Sequence, residues 1–493
     1  MLDFYLPNFS LVLPEIIMAL VAMGLLIEGV FTSPGKVRRT AHITMLAMVV
    51  AIAFLIGSWD DGIRQVSFAG QICQDNYIIL TKILVLLGSI SALGMSLSNL
   101  TRSGLERFEF PILILFATLG MMVLLSANDF LSLFMGLELQ GLSLYILAGF
   151  SRERGHVSEA ALKYFVLGAL STGLFLYGVS LIYGFTGTTN FDTLKAIFRF
   201  GSTEVVALGV IIGLVFVIAS LAFKVSAVPF HMWTPDVYQG VATPVTAFFA
   251  AAPKIAALAL FLRLMMDPFG LLFEQWQQIL ILISAASMIL GGFAALPQTN
   301  LKRLLAYSSI GQMGYAVMGI AAGTEEGVRG VILYMMIYGA VILGVFACLL
   351  HLKARSRQPL NEIRDLSGLS TAQPRLAFVL SAFLFSLAGI PPLAGFFGKL
   401  YVFMAAIEAG LTWLAILGVL TSVVSAFYYL RIIKVMYFES LPETPLVMSG
   451  PSAVVSFENT VVMNAMFLFT LLFCIYPQGL LRIVQDAVTA LVH

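Results

Sequence analysis

The sequence predicts an all-α polytopic membrane protein of about fourteen transmembrane helices, with two inverted five-helix repeats and two discontinuous helices. Three observations predict it. Of the 493 residues, 60% are hydrophobic and only 11% charged, and the mean hydropathy is +0.97, whereas a soluble domain carries about 25% charged residues. Apolar runs long enough for about 17–25 helical residues recur from end to end. Two of these runs are interrupted by proline at corresponding places.

The runs are 10–30, 41–58, 76–99, 110–127, 129–150, 158–184, 206–228, 241–266, 276–297, 301–322, 328–352, 374–405, 411–437 and 459–481. With fourteen spans the loops fall into two sets. Sixteen of the 27 lysines and arginines lie in one set, from Lys36, Arg38 and Arg39 to Arg431 and Lys434. Six lie in the other: Arg64, Lys195, Arg199, Arg263, Arg329 and Arg482. The positive-inside rule makes the basic set cytoplasmic and puts both termini outside. The first run lacks a basic leading segment, so it reads as a span rather than a signal peptide.

The interrupted runs are the seventh, at Lys224-Val-Ser-Ala-Val-Pro229-Phe-His231, and the twelfth, at Gly389-Ile-Pro391-Pro392-Leu-Ala-Gly395. Proline removes a helix hydrogen bond and clashes with the preceding turn. Unwound backbone at membrane depth is tolerated only where protein or a water-lined cavity covers it. Each break is fourth in a block of five runs, and successive odd-numbered blocks have opposite orientation, which is the layout of an inverted-repeat transporter. The expected organisation is an N-terminal three-helix segment (1–109), a first repeat (110–266), a second repeat (267–440) and a C-terminal helix (441–493).

Composition excludes several functions. A formal net charge of +1 suggests no nucleic-acid partner, and Cys73, Cys348 and Cys474 are too dispersed for an iron–sulfur or zinc site. Neither a GxGxxG nor a GxxxxGK[ST] loop is present, so nucleotide binding has no support.

The residues that point to a function are charges inside apolar runs: Lys82, Lys163, Lys224, Lys254, Lys399 and Glu138. A charge at a helix centre costs roughly 2.5–3.5 kcal/mol on insertion scales, and such groups mark ion pathways. Glu138 is central to its run; it is either a proton-carrying acid or half of a structural ion pair. Lys224, just before the break at Pro229, is its candidate partner, because a nearby carboxylate and burial push a lysine's proton affinity in opposite directions. His231, in the same break, is a proton relay or a satisfied structural histidine. Lys254 follows Pro253 midway along its run and is too deep to snorkel, and Lys399 follows the double-proline break. Lys163 and Lys82 lie near run ends, where snorkelling explains them as well as function does. Asp129 reads as an N-cap or interfacial acid. Tyr307, Ser308, Ser309 and Gln312 either support waters or make polar helix contacts.

The motifs around these residues resemble the antiporter-like subunits of respiratory complex I. They are Leu13-Pro-Glu-Ile-Ile, Gly136-Leu-Glu-Leu, Lys224 through Gly240, Thr243-Pro-Val-Thr, Leu304-Leu-Ala-Tyr-Ser-Ser-Ile-Gly-Gln-Met-Gly-Tyr315 and Gly389 through Lys399, and the likeness spans essentially the whole chain. The resemblance implies a proton path in which Glu138 and Lys224 are the coupled pair, Lys163 a modulator, Lys254 the central relay, His231 an axial group and Lys399 the second-half site. It implies membrane-arm partners that include sister antiporter-like subunits, and a bacterial inner-membrane location. NADH, FMN, iron–sulfur clusters and quinone would belong to partner subunits, with no cofactor on this chain. Two departures stand out: Lys399 is a lysine where some sister subunits have glutamate, and Gln239 is an amide where they tend to carry an acid. The chain stops soon after its fourteenth run, so the lateral helix of the largest sister subunit is not expected. Competing readings are a subunit of a multi-subunit cation/proton antiporter and a non-pumping scaffold; a quinone site has no motif to support it.

Overall fold

The computed structural model describes residues 7–31, 37–59, 63–102, 106–151, 155–200, 208–355, 361–440 and 457–492. A 3₁₀ turn at Phe9–Val12 leads into α1 (Leu13–Val30), then α2 (Val37–Gly57), an antiparallel hairpin of β1 (Gln65–Ser67) and β2 (Ile72–Gln74), and α3 (Asn76–Arg102). There follow α4 (Glu109–Ser126), α5 (Phe130–Ala148), α6 (Gly155–Thr186), the short α7 (Phe191–Phe200), α8 (Leu208–Val225), α9 (Trp233–Gly240), α10 (Thr243–Ala250) and α11 (Ala252–Met266). The second half runs through α12 (Phe273–Ala295), α13 (Leu301–Ala322), α14 (Glu325–Arg355), α15 (Leu369–Ala372), α16 (Pro374–Ala388), α17 (Ala394–Glu408) and α18 (Thr412–Phe438). The last elements are α19 (Phe457–Ile475) and α20 (Gln478–Val492).

Among the described residues, twelve segments are long and apolar enough to cross a bilayer. Two more complete the fourteen. One is α13, whose apolarity is diluted by Ser308, Ser309 and Gln312; the other is the α16–α17 pair, interrupted in mid-run. Both expected breaks are present, between α8 and α9 and between α16 and α17. A third divides the eighth span at Ala251 (φ −110°, ψ −86°), between α10 and α11. Pro253, in the first turn of α11, has no N–H to continue the ladder from α10.

The chain end departs from the expected run 459–481. Helix α19 stops at Ile475, ahead of Pro477, and α20 begins at Gln478. Val484, Ala487, Val488 and Leu491 form the buried side of α20, a helical spacing that an apolar-run search does not register. Similarly, α7 occupies what reads as the 185–205 loop.

Close helix crossings hold the two halves together internally. A Cβ on Gly120 would sit 2.5 Å from the Gln140 nitrogen, and one on Gly136 2.6 Å from the Leu124 nitrogen. Helices α4 and α5 therefore cross backbone to backbone, as small residues allow in membranes. Helices α12 and α13, the corresponding pair in the second block, cross in the same way at Gly291 and Gly311. Helix α3 lies along α11: the Tyr77 hydroxyl donates to the Ala259 carbonyl at 2.7 Å, and Gly88 faces Ala252.

The face that carries both termini is closed by charges. Arg64 pairs with Asp192 (2.8 Å) and Asp267 (3.4 Å), and Lys195 pairs with Asp267 (3.1 Å). Arg263, counted above among loop residues, is instead 3% exposed; it donates to the Leu125 carbonyl at 2.6 Å and to the Cys73 sulfur at 2.5 Å.

A candidate proton-relay line

Glu138 is near the middle of α5, half-buried, and accepts a hydrogen bond from the Thr172 hydroxyl on α6 at 2.8 Å. Asp129 caps the start of the same helix. Its carboxylate accepts from the Leu131 N–H at 2.8 Å and from the Thr189 hydroxyl at 2.6 Å, which is the N-cap role. Lys224 sits in the last turn of α8, where the negative end of the helix dipole favours a cation. It is within electrostatic range of Glu138, but no ion pair at contact distance joins them. His231 lies in the break that follows, half-buried, with a buried Nδ1 that has no protein partner. Trp233 anchors the break by donating to the Phe223 carbonyl at 3.1 Å and stacking on Tyr164.

The break at Ala251 points the first turn of α11 into the protein and buries Lys254 to 1% exposure. Its ammonium meets the Ser309 hydroxyl at 2.6 Å and lies 5.5 Å from the centre of the Tyr238 ring. Ser309 in turn is hydrogen-bonded to the Tyr338 hydroxyl at 2.6 Å. Tyr338 lines a small cavity of about 20 Å³, together with Tyr334, Gln312, Ser386 and Lys399.

Lys399 shows what the double-proline break accomplishes chemically. Ending α16 leaves its last carbonyls without helical partners, and the Lys399 ammonium takes two of them, Leu387 and Ala388, each at 3.0 Å. Its third bond goes to the Ser422 hydroxyl at 2.8 Å. Gly389 adopts φ +86°, and a Cβ there would sit 3.0 Å from the Lys399 side chain; glycine alone suits both demands. Gln312 joins the same group, donating to the Leu387 carbonyl at 3.1 Å and accepting from Tyr334. Ser308 pairs with Tyr429. Of the polar α13 residues, Ser309 and Gln312 thus border the line and Ser308 makes a helix contact.

Two lysines are placed differently from the line. Lys163 is 44% exposed and pairs with Glu159 (2.8 Å) and Asp236 (2.9 Å) on the face opposite the termini. It is nine residues, or about 13 Å of helix, from Thr172. Asp236 also accepts from Arg303 at 2.7 Å, and Gln239 accepts from Arg303 at 3.1 Å. Burial raises the Asp236 carboxyl, but its bonds from Lys163 and Arg303 outweigh this and hold it below the usual carboxylate range. Lys82 does not snorkel. It is 0% exposed and lies 2.5 Å from the Glu15 carboxylate on α1.

Sequence reasoning missed Tyr334, Tyr338, Ser422, Thr172 and Glu15. For Tyr334 and Tyr338 a signal existed: two hydroxyls four residues apart share one face of α14.

Residues 127–425 match the family model described as NADH:quinone oxidoreductase/Mrp antiporter, transmembrane. A protein of Parvibaculum lavamentivorans named NADH-quinone oxidoreductase subunit N is 51% identical over 98% of both chains. A chain of respiratory complex I from Thermus thermophilus superposes with a TM-score of 0.80 at 33% identity, covering 95% of this chain and 98% of that one. The Mrp complex from Dietzia sp. contains a chain of the same fold, with a TM-score of 0.82 at 21% identity over 98% of each. The chain is a multi-pass membrane protein that belongs to the subunit N family of NADH-quinone oxidoreductase, within the NADH:quinone oxidoreductase/Mrp antiporter family.

Proposed function

We propose that this chain carries protons across the membrane along Glu138, Lys224, His231, Lys254 and Lys399, with Lys163 at the mouth opposite the termini. The observation that most supports this is continuity: Lys254, Ser309 and Tyr338 form a hydrogen-bonded series that opens on the cavity beside Lys399. Hydroxyls can accept one proton while releasing another, and the cavity has room for about one bridging water. A scaffold role does not require such a series.

The T. thermophilus chain belongs to respiratory complex I. By analogy, the partners here are other membrane-arm subunits, sister antiporter-like subunits among them. NADH oxidation, flavin and iron–sulfur electron transfer and quinone reduction occur elsewhere in the assembly. The division at 109, 266 and 440 marks the N-terminal segment, the two repeats and a C-terminal segment that holds the last span, α19, and the amphipathic α20.

The membrane is the bacterial inner membrane, with both termini periplasmic. Cysteines at positions 33 and 356, both outside the described residues, are expected to react with an impermeant thiol reagent only from the cytoplasmic side. Labelling of intact cells at either position overturns the orientation.

Glu138→Gln and Lys224→Ala are each expected to lower NADH-driven proton translocation by roughly tenfold, less than the roughly 100-fold or more of a fully positioned proton-transfer group, because the two side chains are not in contact. Blue-native gels should show the complex assembled. Vesicle acidification at the wild-type rate in both variants would remove the pair from the path.

A further inference from the structure

The Glu15–Lys82 pair lies in the first three helices, outside the residues that match the family model. Lys82 is 0% and Glu15 7% exposed, and neither charged group has a well-formed hydrogen bond beyond their 2.5 Å contact. A buried ion pair is favourable only when further hydrogen bonds satisfy its remaining protons and lone pairs. Here they are not satisfied, so the pair is an under-bonded acid–base contact in the protein interior.

The surroundings give the pair a direction. Asp75, Lys82, Ser89 and Ser96 recur every seven residues and are all buried, so they follow one side of α3. Lys82 is six residues, or about 9 Å, nearer the termini face than Gly88, and Gly88 packs on Ala252, two residues before Lys254. Beyond Lys82 stands Asp75, whose carboxyl burial pushes up and Arg263 partly draws back. Arg263 is within electrostatic range of Asp267 and Arg64, which pair with Lys195 and Asp192, whose side chains are 45% and 44% exposed.

We propose that Glu15 and Lys82 form a further proton-transfer site on the termini side of Lys254, opening to that face through Asp75. The proposal rests on the proton-carrying reading above. In the transfer, the Lys82 ammonium gives one proton to the Glu15 carboxylate, leaving an amine and a carboxylic acid. The acid releases its proton toward Asp75, and the amine takes up the next from the Lys254 side. One proton enters and one leaves, and no electrons move.

The test uses the whole complex in vesicles and reads protons moved per NADH oxidised, with blue-native gels for assembly. Glu15→Gln combined with Lys82→Met leaves no unpaired buried charge, and Lys82→Arg keeps the pair but stays protonated. Both are expected to assemble and to lose protons per NADH. An unchanged ratio in either assembled complex overturns the proposal. So does failure of both to assemble, because the pair is then a structural clasp. Lys254→Met is measured alongside. Its normal pumping refutes the relay as a whole, whereas its loss of pumping beside normal Glu15 and Lys82 variants refutes this site alone.

Discussion

Lys254→Met is expected to lower coupled proton translocation by roughly 100-fold, within the range lost when a positioned acid–base group is removed, while the complex assembles as well as the wild type. The argument for intact assembly comes from hydrogen-bond accounting. An ammonium has three protons to donate, and Lys254 finds one protein acceptor, Ser309, at 2.6 Å. Replacing an under-satisfied buried cation with an apolar side chain of similar length removes the cost of keeping that charge out of water. The argument for lost translocation is connectivity: Lys254 is the group through which Ser309 and Tyr338 reach the first half of the chain. Tyr338→Phe removes one hydroxyl from the series and is expected to cost less, roughly tenfold. Proton uptake in vesicles and the melting temperature of the solubilised complex separate the two effects. Wild-type pumping by Lys254→Met would reduce this lysine to packing.

Much of this was legible in the sequence because the bilayer imposes it. A span must be a long apolar run, and a lysine inside one is conspicuous. Thus Lys224, Lys254 and Lys399 could be named before any contact was known. The third break was harder to see, since 241–266 reads as one apolar run interrupted only by Lys254 and Arg263, and Pro253 alone does not distinguish a kink from a first-turn proline. The Glu15–Lys82 pair was illegible for a different reason. Both residues lie near run ends, where snorkelling is the economical reading, and only the packing of α1 against α3 brings them together. Tyr334 and Tyr338 were passed over because aromatics are common in spans; their hydroxyls matter only because α13 and α17 face them. Helix α20 escaped because half its surface is polar, so it never forms a continuous apolar run.

Lys399→Arg is expected to assemble and to pump poorly, and the reason lies in how differently Lys254 and Lys399 are held. Lys399 has three acceptors for three protons: the Leu387 and Ala388 carbonyls at 3.0 Å and the Ser422 hydroxyl at 2.8 Å. Two of these are carbonyls at the end of α16, where the helix dipole adds to the attraction. The break therefore offers an ammonium three acceptors, whereas Lys254 has one. A proton passing from the less satisfied site to the more satisfied one is trapped unless the Lys399 site is disturbed in each cycle. Moving one charge against 100 mV costs about 2.3 kcal/mol, so a potential of ~150–200 mV opposes each proton by ~3.5–4.6 kcal/mol. That corresponds to a change in proton affinity of roughly a thousandfold or slightly more. Loss of one or two of the three bonds, at about 1.5–3 kcal/mol for each bond to a charged group, supplies a change of this size. Arginine can occupy the carbonyls as a cation but cannot give up its proton. Proton translocation should consequently fall by at least roughly tenfold, while blue-native gels show normal assembly. Lys399→Arg that pumps at the wild-type rate would make this residue a fixed counter-charge for the end of α16, and the path would then have to cross the second half of the chain without it.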